Sequence, residues 1–228
     1  MTRQEFHFIA CTNHPLMMAE CRLYINRLYV PEGCSVRITE INDAKSMCEG
    51  YNRAIGMKPG DAPRLQDVPL RIYLHQDTFI LNRWFLYHLQ SLFTNHPDTG
   101  MIGMAGTPVL HPSGIMWMGE YIGNSLDSSE EPYEEQQPDD SLPYTTVASV
   151  DGFLMATAAD VPWREDLLDG FEFYDVSQCM EFQKNGKKII VPAQQPAWCI
   201  HGDERRLSLY SYNRYRKIFL SHYFPDAV

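Results

Sequence analysis

The sequence predicts an α/β domain built around a mostly parallel sheet, and three observations carry that reading. Three strand-then-helix units follow one another through the first half of the chain, which implies parallel strands with right-handed crossovers. Each of those strands ends in polar residues, at Thr12-Asn13, Asn42-Asp43 and His75-Gln76-Asp77. Finally, 228 residues with 44% hydrophobic and 21% charged side chains suit one large soluble domain with an extension, and no linker divides the chain.

The elements justify themselves in order. Phe6 to Cys11 is an apolar run ending in a polar turn, Thr12-Asn13-His14-Pro15. Met17, Cys21, Tyr24, Ile25 and Leu28 recur at helical spacing until Pro31 and Gly33 stop them. Ser35 to Ile41 alternates as a strand, and Ser46 to Met57 reads as a helix. A loop from Pro59 to Pro69, with three prolines and a glycine, leads to the strongest strand, Leu70 to Leu74. Asn82 is the expected cap of a helix carrying Trp84, Phe85, His88, Leu89, Leu92 and Phe93. Strand and turn follow from Thr99 to Leu110, then irregular or antiparallel strand from Gly114 to Leu126. Val147 to Thr157 restores order. A helix from Asp175 or Val176 to about Asn185, with Gly186 just past its end, precedes a closing strand, Lys188 to Val191. The last helix, Leu207 to His222, is amphipathic and basic-aromatic. We therefore expect a domain over 1–206 and a helical extension over 207–228.

Charge narrows the partners. Nineteen Lys and Arg stand against 29 Asp and Glu, a net of −10, which argues against a nucleic-acid binder held by phosphate contacts. Seven of those acids lie between Asp127 and Asp140 with no basic residue among them, leaving 22 acids against 19 bases elsewhere. With no Leu, Ile, Val or Phe from 127 to 141, the segment 127–143 reads as an acidic mobile loop. No apolar run is long enough to span a bilayer and no signal-peptide pattern opens the chain, so the expected location is cytoplasmic. Six scattered cysteines without a CxxC fit free thiols in a reducing compartment.

Several residues could carry chemistry, each beside a plainer role. Asp77 at a strand end could cap the next turn, or hold Mg²⁺ or Mn²⁺ whose other ligands a diphosphate supplies. Asp175 opens Asp-Val-Ser-Gln, close to a capping box, and a carboxylate fixed there is also placed for general-base work. Asp151, before Gly152, is a turn residue or a site acid. His201 lies in a loop context, Cys199-Ile200-His201-Gly202-Asp203, as a solvated side chain or a metal ligand. Arg205, Arg206, Arg214, Arg216 and Lys217 form a solvated face, neutralise a phosphate, or touch anionic lipid. GxSxG, Walker A and GxGxxG patterns are absent.

Five segments in register resemble the glycosyltransferase 2-like proteins of GT-A fold, in particular the branch associated with a streptomycin-biosynthesis protein. They are Tyr51-Asn52-Arg53-Ala54-Ile55, Tyr73 to Ile80, Gly103 to Thr107, Val150 to Thr157, and Asp169 to Asp175. The likeness runs from Phe6 to His201. It implies a Rossmann-like nucleotide-diphospho-sugar transferase domain in which His75-Gln76-Asp77 replaces the usual DxD. Thr12, Asn13 and Asp43 would then hold the nucleoside, with Asn52, Arg53 and Gln76 also on the donor side. Asp77 and His201 would hold Mn²⁺ or Mg²⁺ at the diphosphate. Asp151 and Gly152 would floor the sugar and acceptor, and Asp175 would be the base of an inverting transfer.

The pattern also departs from the family. His75-Gln76-Asp77 carries one carboxylate where DxD carries two. Glu172 stands where the branch usually has His, and Ser177 where it has a second acid. The resemblance implies a transferase that takes a nucleotide-diphosphate sugar and a hydroxyl acceptor, with no nucleic acid and with peripheral membrane contact open to the last helix. The alternative is a non-catalytic nucleotide-sugar binder or partner protein that keeps the fold. A sugar-nucleotidyltransferase needs a Gly-rich basic loop after the first strand, which Thr12-Asn13-His14-Pro15 lacks.

Overall fold

Phe6, Phe8 and Ala10 face one side of the first strand and Ile9 the other, and all four are fully buried. A strand buried on both faces has to be central, with helices covering each side. The computed structural model describes residues 4–125, 133–202 and 208–225. Its strands are β1 (Glu5–Cys11), β2 (Ser35–Ile41), β3 (Leu70–Leu74), β4 (Thr78–Ile80), β5 (Thr99–Gly103) and β6 (Ala105–Thr107). They continue with β7 (Ile122–Gly123), β8 (Tyr144–Thr146), β9 (Ser149–Val150), β10 (Leu154–Thr157), β11 (Lys188–Pro192) and β12 (Cys199–His201). The helices are α1 (Pro15–Asn26), α2 (Met47–Ile55), α3 (Phe85–Asn95), α4 (Tyr174–Lys184) and α5 (Leu209–Tyr223).

The main sheet has seven strands in the order β2-β1-β3-β10-β5-β11-β8. β1 pairs in parallel with β2 and β3, and β5 with β11, while β10 and β8 run against their neighbours. The fold is therefore α/β with a mostly parallel centre, as the strand–helix alternation predicts. α1 and α3 pack Met18, Cys21, Ile25, Phe85 and Leu89 against Phe6, Phe8, Ile72 and Leu74. On the opposite face α2, α4 and α5 pack Tyr51, Ile55, Phe182 and Phe219 with Ile9, Tyr73, Met101 and Met155. Two smaller sheets, β7-β6-β9 and β12-β4, extend the end of the main sheet where β1 and β3 finish.

Local chemistry sets several boundaries. Ser46 caps α2 by accepting the Glu49 N–H at 3.1 Å, and Gly56 ends it in the left-handed region (φ 64°). Asn82 does not cap α3 directly. Its Oδ1 accepts the Trp84 N–H at 3.1 Å and its Nδ2 donates to the Gln136 carbonyl at 3.2 Å, and the helix starts two residues later than expected, at Phe85. α4 likewise lacks the expected capping box. Phe173, in the left-handed region (φ 62°), precedes Tyr174 with no side-chain cap, which frees the Asp175 carboxylate for other partners.

Residues 126–132 of the acidic segment lie outside the described residues; 133–143 form no helix or strand and bond to α3 and its surroundings. The Gln136 carbonyl accepts from His88 Nε2 at 3.0 Å, and its Oε1 accepts from Trp198 Nε1 at 2.7 Å. Glu135 pairs with Arg83, and Asp140 accepts from Ser91 Oγ at 2.7 Å. The acids there are used as staples. α5 is equally integral: Tyr212, Tyr215, Phe219 and Leu220 are buried in the shared core. Its Arg214 pairs with Asp169, and Arg216 donates to the Ser113 carbonyl at 3.3 Å. Leu207, Arg205 and Arg206 lie outside the described residues. No described helix is long and apolar enough to cross a membrane. All six cysteines are unpaired, four of them buried.

At the far end of the sheet sits a buried polar knot. Arg71 forks onto Asp160 with two bonds of 2.9 Å, and Arg64 reaches the same carboxylate at 2.9 Å. Arg71 also meets His7 Nδ1 at 2.7 Å. Burial and the Arg37 and Arg71 charges push the His7 pKa down to about 3, so His7 stays neutral. This knot lies at the strand ends remote from Thr12 and His75.

Candidate active site

The carboxyl ends of β1, β2 and β3 open into a cleft of about 1060 Å³, lined also by the turn at 114–117, the residues around Asp175 and the start of α5. That volume is at the upper end of the ~300–1,000 Å³ usual for small-molecule sites. Polar strand ends converge there because a parallel sheet presents all its carboxyl ends to one crevice.

One corner suits a cation. His75, Asp77 and His201 bring a ligand atom each to within 4.8 Å of one another, a cluster found among the described residues. Asp77 Oδ1 is buried, has no hydrogen-bond partner, and lies 3.9 Å from His75 Nδ1 and 3.7 Å from His201 Nε2. His75 Nδ1 and His201 Nε2 are themselves 3.2 Å apart. A buried carboxylate oxygen without a donor is costly, and two facing imidazoles with it form a donor set that fits a divalent ion.

The fold builds this corner from distant pieces. His75 and Asp77 flank Gln76 in the tight turn between β3 and β4, closed by the Thr78 N–H bonding the His75 carbonyl at 3.2 Å, which brings their side chains near each other. β12 pairs with β4 in the register His201–Thr78, and the Gly202 N–H bonds the Asp77 carbonyl at 3.0 Å, which sets His201 beside Asp77. The Phe153 ring stacks on His201 at 4.8 Å and 16°. Tyr174 Oη lies 2.5 Å from His75 Nε2. When that nitrogen carries the proton and the phenol oxygen accepts it, the Nδ1 lone pair faces Asp77 and His201.

Gln76, between the two ligands, works inward. Its Oε1 accepts from Thr12 Oγ1 at 2.6 Å and from the Asn13 and His14 N–H groups at 3.0 and 2.9 Å. Its Nε2 donates to Asn13 Oδ1 at 2.7 Å. Thr12, Asn13 and Gln76 thus line the cleft as one braced wall between the ends of β1 and β3.

Asp175 lines the same cleft. Its two oxygens accept the Gly152 N–H at 3.1 Å and the Val176 N–H at 2.8 Å. Burial and the nearby Asp151 charge nevertheless raise its pKa to about 7, against the lowering by those N–H groups. Asp151 accepts the Phe153 N–H at 3.2 Å and, at a long 3.5 Å, the Tyr121 hydroxyl. Gly152 is required by close packing, since a Cβ there would collide with the Tyr174 hydroxyl.

Not every expected residue faces the cleft. Asn52 is buried behind it and clasps Trp163, donating to its carbonyl at 2.9 Å and accepting its N–H at 2.8 Å. Arg53 is exposed and holds Asp43 at 2.5 Å; neither lines the cleft, although Asn42 and Ala44 on either side of Asp43 do. Ser177 is also engaged, 2.8 Å from the Tyr223 hydroxyl. Conversely, His75 and Tyr174 enter the site although the sequence marks neither as a site residue. The two-residue spacing of His75 and Asp77 at a strand end is the signal that points to the first of them.

A sheet of this order, with a His-Asp-His corner and a half-buried carboxyl lining one cleft at its carboxyl ends, is the architecture of a GT-A fold. A family model described as "Glycosyltransferase like family" matches residues 7–223, and the chain belongs to that family. Among solved structures, S. aureus TarS 1-349 superposes with a TM-score of 0.54 at 11% identity, over 97% of this chain and 72% of that one, which is a likeness of fold. No curated protein matches the sequence.

Proposed function

We propose that the protein transfers a sugar from a nucleotide-diphosphate sugar to a hydroxyl acceptor with inversion, and that Asp175 is its base. The observation that carries this reading is the presence, in one cleft, of the unpartnered Asp77 oxygen and a carboxyl of pKa about 7. A base is most useful near the pH at which it works. In the transfer, the acceptor oxygen forms a bond to the anomeric carbon from the face opposite the leaving group. The bond from that carbon to the diphosphate oxygen breaks, its electron pair staying with the diphosphate. The acceptor proton passes to the Asp175 carboxylate and then to solvent.

His75, Asp77 and His201 would hold the cation, and the mixed nitrogen and oxygen donors suit Mn²⁺ better than Mg²⁺, which prefers oxygen alone. When bound, such an ion supplies positive charge to the departing diphosphate. No Lys or Arg occurs among the described lining residues, which makes that charge the more needed. The braced wall of Thr12, Asn13 and Gln76 would position the nucleoside, and Asp151 would accept from sugar hydroxyls. Asn52 and Arg53 would act from behind the cleft, through Trp163 and Asp43.

The test combines binding and turnover. UDP, GDP and TDP, each with Mn²⁺, should be screened for a rise in melting temperature, and the stabilising nucleotide's sugars for transfer or slow hydrolysis. At least one nucleotide should stabilise the protein and Asp175→Asn should remove turnover while keeping nucleotide binding. Failure of all three nucleotides sinks the donor site, and full activity in Asp175→Asn sinks the base.

A further inference from the structure

Part of the cleft wall is exposed and aromatic. Trp117 is 54% exposed and Phe171 46%, yet both line the cleft. Single exposed aromatics are ordinary, but two on the rim of one concave site, supplied by separate segments, are not. Trp117 is backed by Tyr212, ring centres 5.5 Å apart and tilted by 37°, and Tyr212 in turn packs on Phe173 at 4.8 Å. Tyr212 and Phe173 line the same cleft as Asp175 and Asp151, and Phe173 is two residues before the proposed base. Phe171 is four residues before Asp175, on the approach to α4.

The polar groups around these rings are acids. Glu172, Asp151 and Asp175 line the same cleft, and Glu172 accepts from Ser211 Oγ at 3.1 Å. An aromatic face next to carboxylates offers apolar contact on one side and hydrogen-bond acceptors on the other. A neutral pyranose matches both, with an axial C–H face for the rings and hydroxyl donors for the carboxylates. An anionic ligand would meet like charge, and an acyl chain would strip water from the acids without replacing its hydrogen bonds.

We propose that Trp117 and Phe171, supported by Tyr212, form an acceptor subsite for a neutral saccharide, whose reacting hydroxyl it directs to Asp175. The inference rests on the transferase reading for the orientation of that hydroxyl, but the binding surface can be tested by itself.

Binding of glucose and N-acetylglucosamine tetrasaccharides should be measured by calorimetry and saturation-transfer NMR, with a galacturonate tetrasaccharide and a Ser/Thr-rich peptide alongside. We expect at least one neutral saccharide to bind, with Trp117→Ala and Phe171→Ala each weakening it on the order of tenfold and Trp117→Phe keeping most of the affinity. Melting curves of each variant verify that it is folded. The proposal is overturned if no neutral saccharide binds, if the uronate or the peptide binds more tightly, or if Trp117→Ala and Phe171→Ala bind as the unaltered protein does. UDP–Mn²⁺ binding to the unaltered protein is followed separately. Its absence counts against the transferase reading while leaving the saccharide result to be judged alone.

Discussion

Replacing Asp175 with Asn should change how stability depends on pH, with a sign and size that the structure dictates. The ordinary Asp pKa of 3.8 rises to about 7 in the folded chain because of burial first and the Asp151 charge second. Between those values the folded protein holds a proton that the unfolded chain releases. The carboxyl's contribution to stability therefore declines as pH rises from 3.8 towards 7, and is constant beyond. Three pH units at ~1.36 kcal/mol each give about 4 kcal/mol, and screening in a half-buried position open to the cleft reduces this to about 2 kcal/mol. Asn does not titrate. It also turns one acceptor into a donor facing the Gly152 or Val176 N–H, a pH-independent penalty of about 1–3 kcal/mol. His7, whose depressed pKa makes stability fall as pH drops below 6.5, works in the opposite direction but equally in both proteins, and so cancels. Urea unfolding with a chelator present, compared at about pH 4 and about pH 8, should show the difference between variant and parent moving by about 2 kcal/mol in favour of the Asp175→Asn variant at the higher pH. A difference that stays flat would mean that Asp175 is ionised in the ordinary range, and the argument for a base poised near neutrality would fall.

Three further outcomes follow from packing and ligation. Arg71→Met leaves the fully buried Asp160 without its forked partner and should cost about 3–5 kcal/mol in urea unfolding, whereas a loss under about 1 kcal/mol would show the knot to be hydrated. Gly152→Ala forces a Cβ against the Tyr174 hydroxyl and should cost about 1–3 kcal/mol, part of it recovered in the double variant with Tyr174→Phe, which removes that oxygen; strictly additive losses would contradict the clash. His75→Ala should weaken Mn²⁺ binding by about 10–100-fold, followed by electron paramagnetic resonance of the free ion, and unchanged affinity would take His75 out of the ligand set.

Much of the architecture is legible along the chain because the central strands are buried on both faces and their helices carry clear apolar spacing. β1 and β3 show it as near-continuous apolar runs, and α2 as Ser46 followed by Glu49 and a terminal Gly56. What escaped was set by long-range pairing. Asn82 looks like a helix cap by type, yet its amide is drawn to Gln136 across 54 positions. The segment 133–143 has the composition of a free loop, because staples made of Gln136, Glu135 and Asp140 leave no periodicity. Asn52 and Arg53 belong to a motif that carries the resemblance, but their side chains serve Trp163 and Asp43 behind the cleft. His75 reads as an ordinary strand-end histidine until β12 brings His201 to within 3.2 Å.

That last approach spans 126 positions, and it gives the cation corner a place in time as well as in space. Closing so long an intervening loop costs chain entropy before the contact rewards it. A chain in which β3 and α3 have assembled but Cys199–His201 has not docked would hold Asp77 and His75 in water, with no third ligand. Occupancy of the corner would then report that the polypeptide has finished folding. An ion that binds only the finished state also deepens it, by about 2.7 kcal/mol at a hundred times its dissociation constant. The ligand triad would thus serve as the fold's final latch, with the divalent-ion supply deciding how firmly it stays shut.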